Sequence, residues 1–78
     1  MIKFDNIKMI DNDLKKIGQN IKNARKSKKL SQEKLAELIC VSRNYIGMIE
    51  RAEVNTPTKT IIQIALVLNV HPKIFFNY

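Results

Sequence analysis

The residues of this chain best suited to recognition chemistry stand close together: Ser42, Arg43 and Asn44, followed at helical spacing by Gly47, Met48 and Arg51. A guanidinium bonds bidentately to O6 and N7 of guanine, and an asparagine amide to N6 and N7 of adenine. Ser42 is suited to cap a helix that begins at Arg43 by accepting from a first-turn N–H, which places both reading side chains in that first turn. Gly47 costs about 1 kcal/mol relative to alanine inside a helix, and in return lets the helix sit deeper in a groove. Met48 offers an apolar contact for a thymine methyl group. A tolerated packing defect and an incidental surface methionine are the competing readings of these two. Ser42, Arg43, Asn44, Gly47 and Met48 are the candidate base contacts. Catalysis has no comparable set: one cysteine (Cys40), one histidine (His71) and two glycines supply no nucleophile–base pair, phosphate-cradling loop or metal-ligand spacing. No catalytic residue, metal or cofactor is expected.

The elements that must position these residues run from Gln32 to Arg51. Two short helical patterns meet at a Cys40-Val41-Ser42 joint, and Leu35, Ala36, Ile39, Val41, Ile46 and Ile49 point inward together. That is helix-turn-helix spacing. At about 100° per residue, Tyr45, Ile46 and Ile49 share the inner side of the second helix, while Arg43, Asn44, Gly47, Met48 and Arg51 share the outer one. Tyr45 is expected wedged in the core with its hydroxyl at a phosphate, and Arg51 is a phosphate candidate at the far end.

Upstream, Asn12 or Asp13 is the expected N-cap of a first helix reaching about Lys28, with Leu14, Ile17, Ile21 and Ala24 as its apolar stripe. Residues 1–12 read as a lead-in or arm whose Phe4, Ile7 and Ile10 pack on the core or on a partner. Ser31 caps the second helix, and Cys40 is expected to be a small, mostly buried turn residue. Downstream, Ala52 to Thr58 is a loop with Thr56 as cap and Pro57 in the first turn of a helix running to about Leu68. Asn55, Thr56, Thr58 and Lys59 offer groups for a DNA backbone, against the alternative of a plain solvated turn. Asn69 suits the left-handed residue after a helix, His71 is a turn or cap residue, and Pro72 opens a last short helix. Leu66, Val70, Ile74, Phe75, Phe76 and Tyr78 present more apolar surface than so small a core hides, and are the candidate dimer interface.

The net charge of +7 is unevenly placed: residues 15–34 hold seven lysines and one arginine against Glu33 alone. Such a surface favours a polyanion, since cations near phosphates release condensed counterions. The 78 residues make one domain with little room for a second function. The apolar run from Ile61 to Val70 is too short and too interrupted to span a membrane, and the N-terminus lacks the pattern of a secretory signal. A cytoplasmic location is expected.

Gln32 to Arg51 resembles the helix-turn-helix of the Cro/C1-type (XRE) regulators, and with its flanking helices the resemblance covers roughly residues 14–76. Within that family, Ser42-Arg43-Asn44-Tyr45-Ile46 followed by Ile49-Glu50-Arg51 is most similar to the controller proteins of restriction–modification systems. The resemblance implies that Ser31 and Gln32 touch a DNA phosphate at the start of the second helix, and that Arg25 and Glu50 form an ion pair between the first and third helices. Cys40 and Ala52 depart from the family pattern, which usually has glycine there. The implied fold is all-α, a five-helix lambda-repressor-like domain over residues 13–78 with its helix-turn-helix at 32–51. The implied activity is that of a homodimeric transcription regulator on a double-stranded, pseudo-palindromic DNA operator, autoregulatory, with RNA polymerase as a further partner and no small-molecule ligand. A phage-type repressor, the antitoxin of a toxin–antitoxin pair, and a protein-interaction module that keeps the fold are the competing readings.

Overall fold

The computed structural model describes the backbone of residues 6–78 and the side chains of residues 9–78. Four α-helices follow one another: α1 (Asn6–Ser27), α2 (Gln32–Ile39), α3 (Arg43–Glu50) and α4 (Thr58–Leu68), closed by a 3₁₀ helix, η1 (Pro72–Phe76). The fold is all-helical; the fifth element is a five-residue 3₁₀ helix that Pro72 opens and Asn77, in extended conformation, closes. His71 caps it, its Nδ1 accepting from the Lys73 N–H at 3.1 Å.

α1 begins at Asn6, six residues before the expected cap, so Asn12 and Asp13 lie inside the helix and residues 1–12 are not simply a lead-in. The reason is in the sequence: no glycine or proline precedes Gly18, and Ile7, Ile10, Leu14, Ile17 and Ile21 continue one helical stripe. The expected packing of Phe4 falls outside the described residues, as does that of the Ile7 side chain, while Ile10 and Leu14 are exposed rather than packed on the core.

Inside, Ile21, Leu35, Ile46, Ile64, Leu68 and Phe75 are each almost completely buried, with Ala24, Ala36, Ile49 and Ala65 between them. Each large aliphatic or aromatic side chain so placed contributes about 1.5–3 kcal/mol of transfer free energy. The smaller residues let the helices approach. Closest of all is Gly18 on α1, where a Cβ would stand 2.6 Å from the Glu50 carbonyl oxygen, so α1 crosses the end of α3 with no room for a methyl group. The C-terminus is tied to α1 by Asn20, whose amide donates to the carbonyls of Phe75 and Asn77 at 3.1 and 3.2 Å. Phe75 is thus a core residue and not part of a dimer surface, and Val70 is half-buried against the same core. Leu66, Ile74, Phe76 and Tyr78 remain exposed.

Each α-helix stops the same way. The N–H of Leu30 bonds to the Arg25 carbonyl, Val41 to Ala36, Glu53 to Met48 and Val70 to Ala65, each with a residue of positive φ just before it. This is the six-to-one closure of a Schellman turn. The left-handed residues are Lys29, Cys40, Ala52 and Asn69. Cys40 has φ 60° and ψ 45° and is exposed rather than buried, lining an open groove with Leu38, Gln63 and Leu66. No described helix is long and apolar enough to cross a membrane.

Candidate nucleic-acid interface

α3 is held by its inner face. Ile46 and Ile49 are buried in the core and Tyr45 packs half-buried against it. The Ser42 hydroxyl accepts from the Tyr45 N–H at 3.0 Å and starts the helix. Consequently Ser42, Arg43 and Asn44 stand in solvent at its first turn, with Met48 half-exposed one turn further on. The Asn44 amide lies 3.7 Å from the Met48 sulfur, a weak local contact that leaves its other groups unengaged. Gly47 differs from the expectation for an outer-face residue: it is buried, because the Arg51 side chain folds back over it, with Nη1 2.9 Å from where a Cβ would be. Any base contact through Gly47 requires Arg51 to move.

α2 starts beside the end of α3. Ser31 caps it, accepting from the Lys34 N–H at 3.0 Å, and Gln32 follows as its first residue. Between α1 and these two ends lies the one buried charge pair among the described residues. Arg25 Nε donates to Glu50 Oε2 at 2.7 Å and Arg25 Nη2 to Glu50 Oε1 at 3.1 Å, with both residues buried. The third guanidinium nitrogen, Nη1, donates to the Leu30 carbonyl at 2.7 Å, and Gln32 Nε2 donates to Glu50 Oε1 at 3.0 Å. One network therefore joins α1, the turn after it, α2 and α3. An amide carries two N–H donors, so Gln32 is oriented by one and keeps the other, together with its carbonyl, for a ligand.

Arg51 is engaged in a different way. Its Nε and Nη2 donate to the Glu53 carboxylate at 3.0 and 3.1 Å on the surface. That hydrogen bonding holds the Glu53 carboxyl below its ordinary range and raises the Arg51 guanidinium. Both side chains are about half exposed, so a phosphate can compete for Arg51. Asn55, Thr58 and Lys59 are exposed and Thr56 half-buried on the loop and first turn of α4. Thr56 does not cap that helix: Pro57 takes the cap position and no side chain accepts from the first turn. Its backbone fits the site, since proline lacks the N–H that a cap position leaves unused.

Lys15 and Lys22 belong to the basic stretch read from the sequence as favouring a polyanion, and Gln19 lies between them on α1. They line an open recess of about 340 Å³ together with Gln32, Glu50 and Arg51. Their i, i+4, i+7 spacing was visible; the recess opposite them was not.

A short capped helix whose first turn projects an arginine and an asparagine, braced by a second helix across a three-residue joint, defines a helix-turn-helix DNA-binding module. The chain belongs to the XRE-type helix-turn-helix family, whose model matches residues 21–75, and it is a transcriptional regulator of that kind. It is 43% identical over 58 residues to control protein C.SmaI of Serratia marcescens, a match spanning 73% of this chain and 69% of that protein. The 10 kDa protein of the ImmF control region of Bacillus phage phi105 is 40% identical over 58 residues, covering 74% of this chain and 64% of the phage protein. Among solved structures, the restriction-modification controller protein C.AhdI of Aeromonas hydrophila superposes with a TM-score of 0.79 at 38% identity, covering 83% of this chain and 98% of that one.

Proposed function

We propose that this regulator is a restriction–modification controller that binds a pseudo-palindromic operator as a homodimer. It acts in the cytoplasm, on the promoter of its own gene, and contacts RNA polymerase from that site. Each α3 enters the major groove of one half-site, with half-sites about one helical turn apart. Arg43 and Asn44 read base edges beside Ser42 and Met48. Ser31, Gln32, Tyr45, Arg51, Asn55, Thr56, Thr58 and Lys59 hold the backbone. The observation that carries this reading is the free first turn of α3, with Arg43 and Asn44 in solvent on a helix locked from beneath. The likeness to the C.SmaI and C.AhdI controllers supports the subfamily.

A phage-type repressor is the second reading, favoured by the ImmF control region protein and by the immunity repressor of the same phage, 41% identical over 54 residues. Neighbouring genes separate the two: a methyltransferase and an endonuclease accompany a controller. Fluorescence anisotropy against the duplex upstream of its own gene and a scrambled duplex, at low and near-physiological salt, tests the DNA reading. Preference for the upstream duplex is expected to persist at the higher salt and to disappear in Arg43→Ala, because a bidentate base contact is worth about 1–3 kcal/mol of discrimination. Equal affinity for both duplexes, fading together with salt, would remove self-operator binding.

A further inference from the structure

We infer that α1 carries a second DNA contact, a sequence-independent cradle for the phosphate backbone formed by Lys15, Gln19 and Lys22 beside Gln32 and Arg51. The inference rests on the DNA-binding reading and extends it beyond the helix-turn-helix. Lys15, Gln19 and Lys22 occupy one face of α1, and that face forms one wall of the recess whose other wall is Gln32, Glu50 and Arg51. Lys15 and Lys22 bring two cations to it, and Arg51, bonded to Glu53 at the surface, a third for which a phosphate competes. The only carboxylate in the lining, Glu50, is already bonded twice by Arg25 and once by Gln32, so it does not cancel them. A concave surface of one sign focuses the field and attracts anions.

The spacing selects the kind of anion. Lys15 and Lys22 are seven residues apart, about 10 Å along a helix, which is too far for one phosphate to bridge and suits a chain of them. Continuity selects the same ligand. Gln32 and Arg51 belong both to the recess and to the ends of the two helices that meet DNA, and the first helix of this motif crosses the backbone. A strand passing Gln32 runs on over Lys22 and Lys15. Lys16, the intervening lysine, points elsewhere, with its Nζ 5.3 Å from the centre of the Tyr78 ring.

The test compares the full-length protein with its Lys15→Gln/Lys22→Gln variant and with Lys16→Gln, measuring affinity for the upstream and scrambled duplexes between 50 and 200 mM salt. Each phosphate contact contributes about 0.9 to the slope of log K against log salt. The double variant is expected to keep its melting temperature and its ratio of upstream to scrambled affinity. With two such contacts from each protomer of the proposed dimer, its slope should be shallower by about 3.6 on both duplexes, so that wild type loses about 150-fold more affinity than the variant over this fourfold salt range. Lys16→Gln should leave the slope near that of wild type. An unchanged slope in the double variant, or an equal change in Lys16→Gln, overturns the cradle even if the upstream duplex is still preferred. A wild-type protein without that preference but with the slope difference would retain the cradle and lose only the operator reading. Absence of any DNA binding removes both.

Discussion

Lys29, Cys40, Ala52 and Asn69 hold φ between 56° and 60°, while the two glycines of the chain lie within helices. A left-handed backbone costs an L-residue about 1–2 kcal/mol, less for asparagine, whereas glycine adopts it freely at an entropic cost of about 0.5–1 kcal/mol. The balance favours glycine at Ala52 and Cys40 by roughly 0.5–1 kcal/mol. Ala52→Gly is therefore expected to raise the melting temperature by a few degrees, since about 1 kcal/mol corresponds to about 4–8 °C in a domain of this size. The same exchange at Ala24, which is helical and buried, should lower it. Thermal unfolding followed by circular dichroism checks both, and a fall in Ala52→Gly would mean that its methyl packing outweighs the strain. The left-handed turn at Asn69 was legible because asparagine tolerates it, and the one at Cys40 was legible only as a family position where glycine was missing. Lys29 gave no signal, since lysine has no intrinsic preference for that conformation and the closing hydrogen bonds of α1 impose it.

Between elements, the Arg25–Glu50 network decides how α1, α2 and α3 sit on one another, and it is also what orients Gln32. A domain of this length is held by about 4–12 kcal/mol, and leaving one partner of a buried pair uncompensated costs about 3–5 kcal/mol. Arg25→Ala should therefore unfold a measurable fraction of the protein near body temperature. Replacing both residues, as in Arg25→Met/Glu50→Leu, should recover much of the loss, since apolar residues of similar volume often substitute well for a buried pair. Urea denaturation of the three proteins decides it; an unchanged midpoint in Arg25→Ala would show that the pair holds nothing together. The boundaries of α2 and α3 were readable from Ser31, Ser42 and the inward positions, because caps and apolar periodicity are local signals. The start of α1 was misread because Asn12 and Asp13 look like a cap when a stripe running through them is overlooked. Neither Gly47 beneath Arg51 nor the bond from Gln32 to Glu50 is local, and spacing along the chain does not reveal them.

At the scale of the whole molecule, two groups stand out among the exposed apolar side chains of the described residues, apart from Met9, Ile10 and Ile62. Phe76, 52% exposed, shares a shallow pocket with Leu14 of α1, and Ile74 and Tyr78 lie exposed nearby in sequence. Leu66, 74% exposed, instead lines a groove with Leu38, Cys40 and Gln63 between α2 and α4. A two-fold dimer buries the same patch from both copies, and its core has to be more apolar than the surrounding surface. The C-terminal group meets that condition with Ile74 and Phe76 lining one pocket and the exposed Tyr78 two residues on, and aromatic residues are the ones that carry most of the binding energy when fully desolvated. A charge at its centre is costly to bury, so in the proposed homodimer Phe76→Asp is expected to separate the two copies at micromolar concentration. Phe76 is half in solvent, so the monomer should keep its helical circular dichroism. Sedimentation velocity reads the outcome, with Leu66→Glu as the comparison. A dimer that survives Phe76→Asp and dissociates in Leu66→Glu would move the interface to the α2–α4 groove. The same variants reach function through mass action: a monomer engages one half-site at a time and loses the advantage of linkage. The Phe76→Asp protein should therefore bind a full operator little better than a half-site, although Arg43 and Asn44 are untouched.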